Sequence, residues 1–427
     1  MKYAFINGRI LNGKEDMSVQ DNKTVFTDGD TIIGIAASSI STAGFKAIDL
    51  NGRYIMPGLI NMHVHLAGNG KPQKKQRDNT KLVNMLFSNP VSARAAYELV
   101  SHYAKLELLS GVTTIRTVGG LRNYDSLIRD EINAGKKTGP RIICSNEGIS
   151  VPGGHMAGSV AAAASSIDEA VQLVHKAKEQ NADFVKLMIT GGVLDAKEKG
   201  VPGEVKMAPE MVRAICDEAH RLGLYTAAHV ESPQGVRIAL ENGVDSIEHG
   251  AKPDAETIRL FKEKNAFLIC TLSPALPYAM LDPKLTNASE VERYNGNIVF
   301  EGIRDCAMEA LKNDIPVGLG NDVGCPYVSQ YDFWRELVYF TKYCGVSNAF
   351  ALHTATEVNA RLAGLENITG TIEAGKKAEM IVTSGNPLED LTALRNVEMV
   401  IAQGKIINHP KYARRKDVDA ALDPFLR

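Results

Sequence analysis

The chain has 427 residues, 44% of them hydrophobic and 23% charged, with a formal net charge of −2. That balance excludes a disordered chain and gives no electrostatic reason to expect nucleic acid or an anionic membrane as partner. The length is enough for a large core and two or three domains. No apolar run reaches the roughly 18–20 residues of a membrane span, and residues 1–20 lack the apolar centre of a signal peptide. The cysteines, Cys144, Cys216, Cys270, Cys306, Cys325 and Cys344, lie far apart with no Cys-x-x-Cys pair. A disulfide framework or zinc–thiolate knot is therefore not expected, and a reducing, cytoplasmic setting is.

Residues 1–56 read as short strands and turns. Residues 3–11 form a first strand broken by an Asn7-Gly8 turn. Residues 23–35 hold Asp28-Gly29-Asp30 between two β-rich runs, and residues 47–55 contain Asn51-Gly52. From Pro57 the texture alternates. Strands are predicted at 58–66, 113–118, 141–145, 184–189, 224–230, 246–249, 266–272 and 316–320. Helical patterns are predicted at 92–109, 124–134, 167–179, 209–222, 233–241, 254–264 and 299–313. The spacing suits right-handed βαβ crossovers, and eight such units over about 300 residues is the size of a TIM barrel. An open doubly wound sheet is the competitor, but it would not normally place functional residues at so many strand ends. After Gly364 the β texture returns, with a turn at 371–375, a strand at 379–382 and a further run at 397–407 split by Gln403-Gly404. The expected architecture is thus an α/β fold, a (β/α)8 TIM barrel over residues 57–364. A small β-sandwich is expected to be built from both chain ends, residues 1–56 and 365–427. The charged stretch 409–427 is expected to pack on the surface or swap to a neighbour.

Barrel chemistry belongs to the loops after the strands. Four of these are long: 67–89 with Lys71, Lys74, Lys75 and Arg77, 150–159 with Gly153-Gly154-His155, 190–208, and 273–297. All four should open on one mouth as a wall that grips substrate.

The strand ends carry the ligands. His63 and His65 are two apart on a strand, so both imidazoles face one side, about 6–7 Å apart at the base, close enough to converge on one metal ion. Lys186 sits in an apolar strand, His229 ends the fifth strand, His249 ends the sixth and Asp322 follows the eighth. A lysine in so apolar a strand is either half of a buried ion pair or an amine whose pKa burial has lowered. Such a neutral amine can take up carbon dioxide as a carbamate, whose two oxygens can bridge two ions. Four histidines on neighbouring strands favour the carbamate.

This order of residues, His63-x-His65, Lys186, His229, His249, Asp322, resembles the amidohydrolase superfamily in its binuclear-metal form with a carbamylated lysine. Residues 370–382 and Gly385-Asn386-Pro387-Leu388-Glu389-Asp390 are similar to that superfamily's closing segment. Thr113-Thr114-Ile115-Arg116, Gly153-Gly154-His155 and Ser246-Ile247-Glu248-His249-Gly250 resemble its prolidase-like and Xaa-amino-acid dipeptidase group, near the imidazolonepropionases. Thr117 and Glu379 depart from the pattern, which has aspartate at both places. The resemblance implies an inner metal held by His63, His65 and Asp322, and an outer one held by His229 and His249. The Lys186 carbamate would bridge the two, and zinc is the preferred ion over manganese or iron. It further implies hydrolysis of an amide bond by a metal-bridging hydroxide, with Asp322 as general base and then acid.

His155 would polarise the carbonyl or bind substrate. Arg116 would meet a substrate carboxylate or else lie buried inside the barrel. Glu248 precedes a ligand on its strand and is expected to point away from it, in a structural pairing. His102, His175 and His220 lie on helical patterns as surface or packing histidines, and Cys325 is not expected to be catalytic. The expected substrate is a small molecule with an amide bond and a carboxylate, a dipeptide or an N-acyl-amino acid, and a homo-oligomer is expected. Ring opening of a cyclic amide, as in imidazolonepropionase, is the alternative. A non-catalytic assembly protein of this fold is disfavoured because all six ligand positions are filled.

Overall fold

The computed structural model describes residues 1–73 and 78–426. Lys74, Lys75 and Arg77, part of the expected cationic wall, therefore lie outside the described residues. In chain order the strands are β1 (Lys2–Leu11), β2 (Val19–Asp28), β3 (Thr31–Ala37), β4 (Lys46–Asp49), β5 (Tyr54–Pro57), β6 (Leu59–Val64), β7 (Val112–Thr117), β8 (Arg141–Cys144), β9 (Gly148–Ser150) and β10 (Ala161–Ala163). They continue with β11 (Phe184–Met188), β12 (Tyr225–Val230), β13 (Ser246–His249), β14 (Phe267–Cys270), β15 (Val317–Leu319), β16 (Met380–Thr383), β17 (Met399–Ala402) and β18 (Lys405–Asn408). The eight strands expected between residues 57 and 364 are all present, and β9 and β10 are additional.

The fold is TIM-barrel-like, with helices between parallel strands, but the ladder is not one closed sheet. β6, β7 and β8 pair in one sheet, while β10-β9-β11-β12-β13-β14-β15 form another. Single bonds cross the two seams. Asp183 N–H donates to Cys144 O at 2.8 Å on one side; on the other, Asp322 N–H donates to His63 O at 3.0 Å and His65 N–H to Val323 O at 2.9 Å. The second seam is tight. A Cβ on Gly320 would come within 2.5 Å of the His63 backbone nitrogen, so only glycine lets these two strand ends approach. Asn61 and Asn321 also face each other across it, amide to carbonyl at 2.8 Å.

Both chain ends share one eight-stranded sheet, in the order β18-β17-β16-β5-β1-β2-β3 with β4 beside β1. It is a single connected sheet rather than the separate pair of a sandwich. Its far edge returns on itself, since Ile32 N–H donates to Lys376 O at 2.8 Å and Ala378 N–H to Asp30 O at 2.7 Å, just before β16. Phe5, Val25, Ile32, Ile55, Met380 and Ile401 pack together inside the curl. The Asn7-Gly8 pair does not end a strand. β1 runs through it with Asn7 at φ 56° and a register shift against β2, a bulge rather than a hairpin turn. Gln403-Gly404, at φ 52° and 71°, does make the β17–β18 hairpin. Glu379, one of the two departures, ties this sheet to the barrel by accepting from Arg141 Nη2 at 2.7 Å.

Helices appear where none was expected, and one starts earlier. Glu290–Lys312 begins at a Ser289/Glu292 capping box, nine residues before the expected start. Phe333–Cys344, not among the expected helices, carries apolar residues at helical spacing, Phe333, Leu337, Phe340 and Cys344, and is buried from Phe333 through Phe340. The C-terminal tail packs on its own chain. Helix Lys416–Leu422 buries Val418 and Leu422, and Asp419 and Asp423 accept from the buried Arg335 at 2.8 and 2.6 Å. All six cysteines are free. Among the described residues no helix is long and apolar enough to cross a membrane.

Candidate active site

Strand alternation carries the sequence-predicted residues to one place. Asn61, His63 and His65 share a face of β6, and His229 ends the matching face of β12. His249 and Asp322 arrive by a different route. Both have left-handed backbones, φ 68° and 54°, an uncommon conformation outside glycine. At His249 that turn lets two consecutive residues, Glu248 and His249, both reach inward. The rings gather closely, with centroids 5.4 Å apart for His63–His65, 4.7 Å for His63–His249 and 4.7 Å for His229–His249.

Each of these imidazoles has one nitrogen tied and the other left over. His63 Nδ1 bonds to Glu248 Oε2 at 2.7 Å, His65 Nδ1 donates to Gly119 O at 2.8 Å, His249 Nδ1 meets Thr271 Oγ1 at 2.7 Å and His229 Nε2 donates to Gly191 O at 3.3 Å. Partners of this kind fix ring orientation in metal sites. Burial, with nearby Lys186 or other histidines, holds the His63, His229 and His249 rings well below the usual histidine range, in the neutral form that ligates. Asp322 Oδ1 lies 3.5 Å from both His63 Nε2 and His65 Nε2, and is buried with no hydrogen-bond donor among the described residues.

Lys186 is 1% exposed, and burial pulls its ammonium down to about 8. Among the described residues no carboxylate pairs with it, so the buried ion pair considered for it is not formed there.

The ion pair lies one layer lower. Arg116 is fully buried, donating to Met62 O at 2.8 Å, Ser246 Oγ at 3.1 Å and Glu248 Oε1 at 2.6 Å, with its guanidinium over Phe184. This corrects the reading of Arg116 as a substrate contact. Its donors are spent inside the barrel, beneath the histidines. Glu248 makes the structural pairing expected of it, with Arg116 on one oxygen, but its other oxygen holds His63, a contact with the candidate ligands that was not expected. A strand-alternation argument misses this because it does not foresee the left-handed turn at His249.

The outer side is built by residues 190–208. Asp195 accepts from His155 Nδ1 at 2.5 Å and from Gly192 N–H at 2.9 Å, and the His155 ring stacks on His229 at 4.0 Å and 5°. His155 therefore stands at the site as expected. Sequence reasoning overlooked Asp195 and Glu231. Glu231 lies two residues beyond His229, where its side chain would share a face, and that spacing was the available signal. Burial, then Asp322 and Asp195, push the Glu231 carboxyl up to about 8. His175 and His220 are paired with Glu218 and Asp245 on the helical surface, as expected.

The donors form two groups whose ligand atoms lie within 4.8 Å of one another: His63, His249 and Asp322, and His229, Glu231 and His249. Neutral imidazole nitrogens with their outer nitrogens tied, beside an orphaned carboxylate oxygen, fit a divalent cation. The set can therefore do metal-assisted hydrolysis.

Residues 54–407 match the model of the amidohydrolase family. A protein of Bifidobacterium longum provisionally assigned as a prolidase is similar over 99% of this chain and 98% of its own, at 35% identity and a TM-score of 0.87. A Xaa-Pro dipeptidase with methionine bound in its active site is similar over 96% of this chain and 100% of its own, at 29% identity and a TM-score of 0.83. The ochratoxinase of Aspergillus niger is 25% identical over 385 residues, 83% of this chain and 76% of its own length. The family generally uses divalent metals, and the histidine and aspartate groups at the strand ends are of the kind such ions need. With its strand-end donors in place and the family match spanning most of its length, the chain belongs to the amidohydrolase family and is a hydrolase of amide bonds.

Proposed function

We propose that this protein is a two-metal dipeptidase or N-acyl-amino-acid hydrolase. The observation that carries the reading is the set of four histidines, each with one nitrogen tied by the protein and one left over, gathered around the orphaned Asp322 oxygen. His63, His65 and Asp322 would hold the inner ion and His229 and His249 the outer, with Lys186 carrying the carbamate that bridges them. Zinc suits imidazole and carboxylate-type oxygen. The unpaired, buried Lys186 supports the carbamate, because a neutral amine is the form that adds carbon dioxide. The domain reading stays 1–56 and 365–427 around a barrel of 57–364.

When bound, such ions lower the pKa of water toward neutrality and polarise a carbonyl. The residues do the rest. Asp322 takes the proton of the attacking water and delivers it to the departing nitrogen. His155, fixed by Asp195, donates to the scissile carbonyl. The Arg116–Glu248 pair keeps His63 in one orientation. The methionine seen in the similar Xaa-Pro dipeptidase supports a pocket of amino-acid size. The test is a screen of dipeptides and N-acyl-amino acids with the zinc-loaded protein, beside elemental analysis of protein purified without chelator. Two ions per chain and turnover of one of these classes are expected. One ion or none, or no turnover of either class, overturns the reading.

A further inference from the structure

We propose that Glu231 is a ligand of the outer metal, so that the outer position is held by a His-x-Glu pair as the inner one is held by a His-x-His pair. The proposal rests on the two-metal reading and adds a residue to it. His63 and His65 stand at the end of β6, one of them past its last residue, and His229 and Glu231 stand at the end of β12 in the same relation. In each pair the spacing of two puts both side chains on the inward face.

The geometry agrees with the grammar. The ligand atoms of Glu231, His229 and His249 lie within 4.8 Å of one another, so a single ion could reach all three. Among the described residues the Glu231 carboxylate has no ion-pair partner, and its one hydrogen bond is from Val193 N–H to Oε2 at 3.1 Å. A half-buried carboxylate with no cationic partner among the described residues, facing two buried imidazoles, is suited to a cation. Val193 N–H claims one oxygen and leaves the other for a ligand, the kind of outer support that orients metal-binding carboxylates. The alternative is that Glu231 faces a cationic group of the substrate, such as the free α-ammonium of a dipeptide.

The experiment compares wild type, Glu231→Gln and Glu231→Asp as full chains. Metal content is measured by elemental analysis over a graded series of chelator concentrations, and the visible spectrum is recorded after cobalt loading. Glu231→Gln should hold the outer ion about 10–100-fold more weakly than wild type, keep the inner one and change the cobalt spectrum. Glu231→Asp should fall between the two, and it carries the test should the glutamine variant fail to fold. Two ions at wild-type affinity and an unchanged spectrum in the variants overturn the proposal while leaving the two-metal reading intact. The same metal content with lost discrimination between a free dipeptide and its N-acetyl form also overturns it, and places Glu231 against the substrate. A wild-type chain that takes up fewer than two ions overturns both readings.

Discussion

The two halves of the site are fastened by different means. On the inner side, His63 leans on Glu248, Glu248 on Arg116 and Ser246, and Arg116 on the β6 backbone, all at 1% exposure or less. On the outer side, His229, His155 and Glu231 are held by Gly191, Asp195 and Val193, from one loop whose Asp195 side chain is 38% exposed. The inner half is set by strands and a buried charge pair that cannot relax cheaply. The outer half is set by a segment that can differ between relatives without disturbing the barrel. Such a division lets one half keep the chemistry while the other is altered for substrate.

Four changes break or sharpen this contrast. Lys186 lies between the halves, so Lys186→Ala should lose metal and activity together, with short carboxylic acids in the medium restoring part of both. Retention of both ions and normal turnover would remove the carbamate. Asp322→Asn keeps an oxygen ligand but cannot accept a proton, so kcat should fall by roughly 10²–10⁴-fold with a smaller loss of metal. Steady-state rates beside elemental analysis decide it, and near-normal kcat would take Asp322 out of the proton path. Glu248→Gln strands a buried guanidinium, and denaturant unfolding should show a loss of about 3–5 kcal/mol. Chelator titration of the same variant should show metal affinity down by about 10–100-fold. The outer counterpart, Asp195→Asn, should cost under about 1 kcal/mol of stability, because the pair is part-exposed. Its effect belongs in kcat/KM, lowered by about tenfold for one lost hydrogen bond to His155. Equal stability losses for the Glu248 and Asp195 variants would show that the halves are fastened alike.

The proposed ligand residues could be found from the chain because each obeys a local rule, a histidine, lysine or aspartate within or just after an apolar strand. The eight barrel strands were found for the same reason. What escaped depends on single dihedral angles or on burial. Glu248 and His249, neighbours on one strand, both face the site only because His249 turns left-handed, and no composition signal marks that turn. Arg116 reads equally well as a substrate contact or as a buried arginine until the strands around it are in place. Asn7-Gly8 carries the signature of a hairpin, yet β1 continues through it and makes it a bulge against β2. The helix Phe333–Cys344 is different, since its apolar period, Phe333, Leu337, Phe340 and Cys344, stands in the chain and the sequence reading passes over it.

β5 pairs with β1 on one side and with β16 on the other, Met56 against Ile381, so one edge of a strand from the start of the chain finds its partner only near the other end. During synthesis at about 5–20 residues per second, that edge waits on the order of tens of seconds for its partner. The barrel strands and helices between them have close neighbours in sequence and can settle first. The sheet of the two ends is then the slow, last step, and an open strand edge is what the nascent chain exposes meanwhile. Poor yield of this protein at high expression rates would be traced first to nascent chains meeting at that open edge, and making fewer chains at once is the natural remedy.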